Sequence, residues 1–88
     1  MTGIRIRALS EKGQAIMKNI MKADGGRSDW KLFFKERVES DDPYVIVVEH
    51  KNRVARSWMK AEFLADIVQK QFKGLGALDG VDYEVVVL

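Results

Sequence analysis

The sequence predicts an α+β domain, and three observations carry that prediction. Ile4-Arg5-Ile6-Arg7-Ala8 and the segment Trp30 to Val38 alternate apolar and charged residues at a period of two, as strands with one buried face do. Residues 11–23 and about 58–75 repeat apolar residues at helical spacing. Two β-branched runs, Tyr44-Val45-Ile46-Val47-Val48 and Val81 to Leu88, complete the set.

Length sets the scale. Eighty-eight residues predict a single domain over 1–88, because chains divide into several cores only well above this length. The sequence has no cysteine, which excludes a disulfide framework, a thiolate nucleophile and any zinc or iron–sulfur site built on Cys. Small secreted domains usually need such staples, so a cytoplasmic location is expected. No apolar run approaches the roughly 20 residues of a membrane span. MTGIRIRALS also lacks the uninterrupted apolar stretch of a signal peptide. No membrane partner is expected.

The elements follow in order. After the first strand, Ser10 is placed to cap a helix, with Glu11 favourable in its first turn. Ala15, Ile16, Ile20 and Ala23, flanked by Met17 and Met21, form the apolar stripe of that helix, and Gly25-Gly26 stops it. Trp30 to Val38 is the second strand, with Trp30, Leu32, Phe34 and Val38 on one face and Lys31, Phe33, Lys35 and Arg37 on the other. Glu39-Ser40-Asp41-Asp42-Pro43 turns the chain, and Tyr44 to Val48 returns antiparallel as a central strand. Lys51-Asn52 leads either into a short strand over Arg53–Ser57 or into the second helix, capped by Asn52 or Ser57. From about Trp58 that helix carries Ala61, Leu64, Ala65, Val68, Phe72 and Leu75 in one stripe. Met59, Phe63 and Ile67 widen the stripe, which predicts a well-buried helix. Gly74 and Gly76 end it, Asp79-Gly80 turns, and the last run is the fourth strand.

Strand, helix, strand, strand, helix, strand is the βαββαβ order of a ferredoxin-like two-layer sandwich. Right-handed crossovers then place both helices on one face of a four-stranded antiparallel sheet, with the first and third strands central. Many unrelated functions share this arrangement, so function must be argued from sites.

The net charge of +2 is mild but unevenly spread. Residues 1–38 carry +5, residues 39–50 carry −4, residues 51–60 carry +4, and the last 28 carry −3. Two basic clusters result. On the open sheet face, Arg5, Arg7, Lys31, Lys35 and Arg37 surround Phe33, a chemistry suited to single-stranded RNA or DNA: the ring stacks on a base and the cations meet phosphates. Equally, such cations keep an open sheet face soluble and block edge pairing. On that face the central strands offer Arg5 and Arg7, then Val45 and Val47 or Tyr44 and Ile46, a departure from the two or more aromatics of the usual RNA-recognition pattern. The other cluster, Lys51, Arg53, Arg56 and Lys60, could hold a phosphate near the start of the second helix.

Little points to catalysis. His50 is the sole histidine, and adjacent Glu49 should face the opposite side of the strand, so neither a tuned general base nor a transition-metal site is expected. Asp41 and Asp42 are too few ligands for a dedicated cation site. Gly74-Leu75-Gly76 follows a helix rather than a strand, so it is a cap rather than a dinucleotide loop. No cofactor and no metal are expected. Val45, Val47 and Val86 could join Phe33 as an apolar strip on the open face, fit for a second copy of the chain or another protein. The sequence thus predicts a non-enzymatic binding or assembly domain that self-associates through its sheet. The alternative is a nucleic-acid-binding module using Phe33 and its neighbouring cations.

Overall fold

The computed structural model describes residues 3–22, 32–37 and 42–88. Among the described residues seven elements follow in order: β1 (Gly3–Ala8), α1 (Glu11–Lys22), β2 (Phe34–Arg37), β3 (Val45–His50), α2 (Arg53–Trp58), α3 (Ala61–Gly74) and β4 (Tyr83–Val87). The four strands form one sheet in the order β2-β3-β1-β4, with antiparallel neighbours throughout. β1 and β3 are therefore central, as expected. An α+β domain is what the chain forms, with three helices among the described residues where two were expected.

The register sorts side chains by face. Ile4 lies opposite Val48 and Val87, and Ile6 opposite Ile46 and Val85. This row faces α1 and α3, and with Phe34, Met17, Leu64, Val68 and Phe72 it makes the core. Each such side chain, fully buried, contributes about 1.5–3 kcal/mol. The other row holds Arg5, paired with Val47 and Val86, and Arg7, paired with Val45 and Glu84. Ile4, Ile6 and Phe34 thus meet the helices as the alternation predicted.

Leu32 does not, being 68% exposed. The second strand starts at Phe34 rather than Trp30, so period-two alternation has no hold on Leu32 or Phe33, which lie ahead of it. Phe33, expected on the open face, is half-buried and packs against the core. The expected stop at Gly25-Gly26, together with Trp30, Lys31 and Val38, lies outside the described residues, as do the side chains of Arg37, Ile20 and Met21.

Ser10 caps α1 as its position suggested: Gly13 N–H donates to Ser10 Oγ at 3.1 Å. The cap is tied to the far end of the chain. Ser10 Oγ donates to Asp82 Oδ1 at 2.7 Å, Leu78 N–H donates to Asp82 Oδ2 at 2.9 Å, and Leu9 N–H donates to the Asp82 carbonyl at 2.9 Å. The Leu78 amide, then the Ser10 hydroxyl, hold the Asp82 carboxyl below its ordinary value. Burial opposes them, and the Lys12 charge assists. Gly13 is required here, since a Cβ would stand 1.7 Å from the Asp82 carbonyl oxygen.

The ambiguous segment becomes α2, neither a strand nor part of the following helix. Asn52 caps it by accepting from Ala55 N–H at 2.8 Å, and buried Ala55 seats it. α3 buries Ala61, Leu64, Ala65, Val68 and Phe72, the predicted stripe. It ends in a Schellman motif: Gly76 N–H donates to Lys73 O and Ala77 N–H to Phe72 O, both at 3.0 Å, with Gly76 at φ +86. Leu75, past the last helical turn, is exposed rather than part of the stripe. Phe72 stacks on Tyr83 with ring centroids 4.3 Å apart. No helix among the described residues is long and apolar enough to cross a membrane.

Candidate binding surface at the α2–α3 junction

Two residues join α2 to α3, and both are extended: Met59 at φ −141, ψ 122 and Lys60 at φ −76, ψ 147. A continuous helix from Trp58 would place Trp58 one turn before Ala61, on the buried stripe. The extended link breaks that phase. Trp58 instead stands 75% exposed, and Phe63, expected to widen the buried stripe, is 55% exposed. These two rings with Met59 and Lys60 line a cavity of about 350 Å³. Val54, on the preceding helix, is also exposed.

The junction is held from below. His50, buried at the end of β3, places Nε2 2.6 Å from the Met59 carbonyl oxygen, and its ring packs on Phe34 at 4.2 Å between centroids. Met59 N–H donates back to Ala55 O at 3.0 Å. Both polar groups of the Met59 backbone are thereby fixed.

Lys60 is the charged residue in the cavity lining. Lys51, Arg53, Arg56 and Lys60 are all exposed, and none forms a salt bridge among the described residues. Residues 51–60 contain no acid. Arg53 and Arg56, three apart on α2, are neighbours on its surface. Of the second basic cluster predicted from sequence, Lys60 lines the cavity with the two exposed aromatics, of which Phe63 was expected on the buried stripe. Asn52 itself fills the cap of α2, so the Ala55 amide is already engaged.

The first basic cluster lies elsewhere. Arg5 is half-buried, Arg7 and Lys35 are exposed, and the register puts all three on the open sheet face. On the same face Val47 is only 1% exposed and Glu49 is buried, while Val45 and Val86 are half-buried, so the face expected to be open is covered at Val47 and Glu49. Phe33 packs toward the core and does not complete this cluster as a free ring. Among the described residues no three His, Asp or Glu side chains converge to hold a metal ion.

Compared with protein-family models, with curated proteins and with solved structures, the chain finds no match in any of the three.

Proposed function

We propose that this chain is a small ferredoxin-like binding domain, with α2 as an added helix, that takes single-stranded nucleic acid at the α2–α3 junction. One observation carries the reading: Trp58 and Phe63 are both exposed and share a cavity with Lys60. An exposed ring offers about 1–3 kcal/mol of stacking per base. Lys60 in the cavity lining, within a segment 51–60 that also carries Lys51, Arg53 and Arg56 and no acid, disfavours a cationic guest and favours one that is both planar and anionic. An unpaired nucleotide has both properties, whereas a duplex hides its base faces. The strand order, with β1 and β3 central, supports the ferredoxin-like assignment.

Fluorescence anisotropy with labelled oligo-dT and oligo-U, at low and at physiological salt, tests the reading. Binding should weaken with salt by about 0.7 log units per log unit for each phosphate neutralised. Full engagement of Lys51, Arg53, Arg56 and Lys60 would thus give a slope of about −2.8. Trp58→Ala should weaken binding roughly 5- to 150-fold, the equivalent of about 1–3 kcal/mol. Absence of binding at low salt would end the proposal. Binding that survives Trp58→Ala and Phe63→Ala but fails on Phe33→Ala or reversal of Arg5 and Arg7 would move the site to the sheet. Concentration-dependent self-association without oligonucleotide binding would point to a second copy as the partner.

A further inference from the structure

We infer that His50 is the positioning residue of the junction site, fixing the path of the α2–α3 link through the Met59 carbonyl. The inference rests on the binding reading above for its consequence, but its geometry stands independently. The link between α2 and α3 is only Met59 and Lys60, both extended, and both contribute to the cavity between Trp58 and Phe63. In this extended pair Met59 N–H closes the last turn of α2 on Ala55 O, and Lys60 O accepts from the Phe63 and Leu64 amides of α3, which leaves the Met59 carbonyl without a helical partner. His50 supplies that partner: Nε2 donates to Met59 O at 2.6 Å, from a ring that is 3% exposed and packed on Phe34 of the edge strand β2. A short bond from a buried donor anchored in the sheet defines where the link runs. The positions of Trp58 on one side and Phe63 on the other follow from it. A site whose supporting groups are fixed binds better than one of the same composition left loose.

The bond requires a proton on Nε2, so one measurement needs no variant. A long-range ¹H–¹⁵N spectrum of the whole chain at neutral pH should show His50 Nε2 protonated, and an Nε2-deprotonated tautomer would overturn the inference. Two variants then separate the bond from the ring. His50→Phe keeps an aromatic against Phe34 and loses the donor, whereas His50→Gln keeps an N–H donor and loses the ring. Oligo-dT affinity should fall about tenfold in His50→Phe and stay within about threefold of the parent in His50→Gln. In parallel, the Trp58 indole N–H resonance, assigned by its loss in Trp58→Phe, should shift in His50→Phe and return toward its original position in His50→Gln. Equal losses in both variants, or no loss in either, would overturn the inference. If the parent chain binds no oligonucleotide, the functional reading fails while the Nε2 proton and the indole resonance still decide the role of His50. If His50→Phe does not fold, the tautomer decides it alone.

Discussion

Tyr83→Phe should make this protein more stable. Tyr83 is fully buried, with its ring stacked on Phe72, and its hydroxyl has no hydrogen-bond partner among the described residues. A buried hydroxyl without a partner costs about 1–3 kcal/mol in lost hydration. Removing it leaves a void of about 10–15 Å³, which at about 24 cal/mol per Å³ costs about 0.2–0.4 kcal/mol. The balance is a gain of about 0.6–2.8 kcal/mol, which calorimetry should record as a rise in Tm of about 4–8 °C per kcal/mol for a chain of this size. Urea unfolding should show a higher midpoint with an unchanged slope. A second signature is set by pH. Burial, then the nearby Asp79 charge, raises the Tyr83 phenol above its ordinary value. Its neutral form therefore contributes stability that is fully present below about pH 10 and lost as pH rises through the folded-state value. Tyr83→Phe should lack that alkaline loss. A variant less stable than the parent would refute the reasoning, because the hydroxyl would then have a bonded partner in solution.

Other outcomes follow from the same structure. In Asp82, the lowered folded-state value means stability present above about pH 4 and lost as pH falls through the folded value. The stability gap between the parent and Asp82→Asn, read by urea unfolding, should therefore be full at neutral pH and shrink in acid. Gly13→Ala would improve helix propensity by about 1 kcal/mol on an open helix, yet here its Cβ meets the Asp82 carbonyl. It should lower the urea midpoint instead. Asn52→Ala should cost about 1 kcal/mol through loss of the α2 cap, seen as increased amide exchange in residues 53–58. Trp58→Ala, at an exposed position, should change stability by less than about 0.5 kcal/mol, while Phe72→Ala should cost about 3–5 kcal/mol.

What was legible in the sequence is what local rules govern. Ile4 and Ile6 against Arg5 and Arg7, the Ser10 cap, the α3 stripe and the glycine stop at Gly76 all follow from period, cap and turn chemistry within a few residues. Leu32 and Phe33 were misplaced because alternation was extended ahead of Phe34, where β2 begins. Phe63 was read as core because it flanks the Ala61–Leu64 stripe, and periodicity does not fix how wide a buried face is; a stripe also fixes a face only while the helix is continuous. Two extended residues, Met59 and Lys60, reset the phase, and no glycine or proline marks them. The Asp82 knot was unreadable in another way: Ser10 and Asp82 are 72 positions apart, and no local pattern announces such a pair.

The aromatics divide in a manner that bears on the site. Phe34, Phe72 and Tyr83 are buried on the helix side of the sheet. Trp58 and Phe63 remain outside, although burying either would contribute about 1.5–3 kcal/mol. In a domain with so small a core, that forgone stabilisation is a large fraction of the 5–15 kcal/mol typical of folded chains. Nothing about α2 forces the exposure by laxity. Its start is capped by Asn52, its end is closed by Met59 N–H on Ala55 O, and the link beyond is bonded to His50. Two large rings are thus held out of the core by a well-bonded backbone rather than left out by a loose one. Rings presented on such a backbone lose little conformational freedom when a ligand stacks on them, so most of the contact energy is retained as affinity. That combination of forgone burial and fixed presentation distinguishes the α2–α3 junction from the open sheet face, where Val47 and Glu49 are already covered.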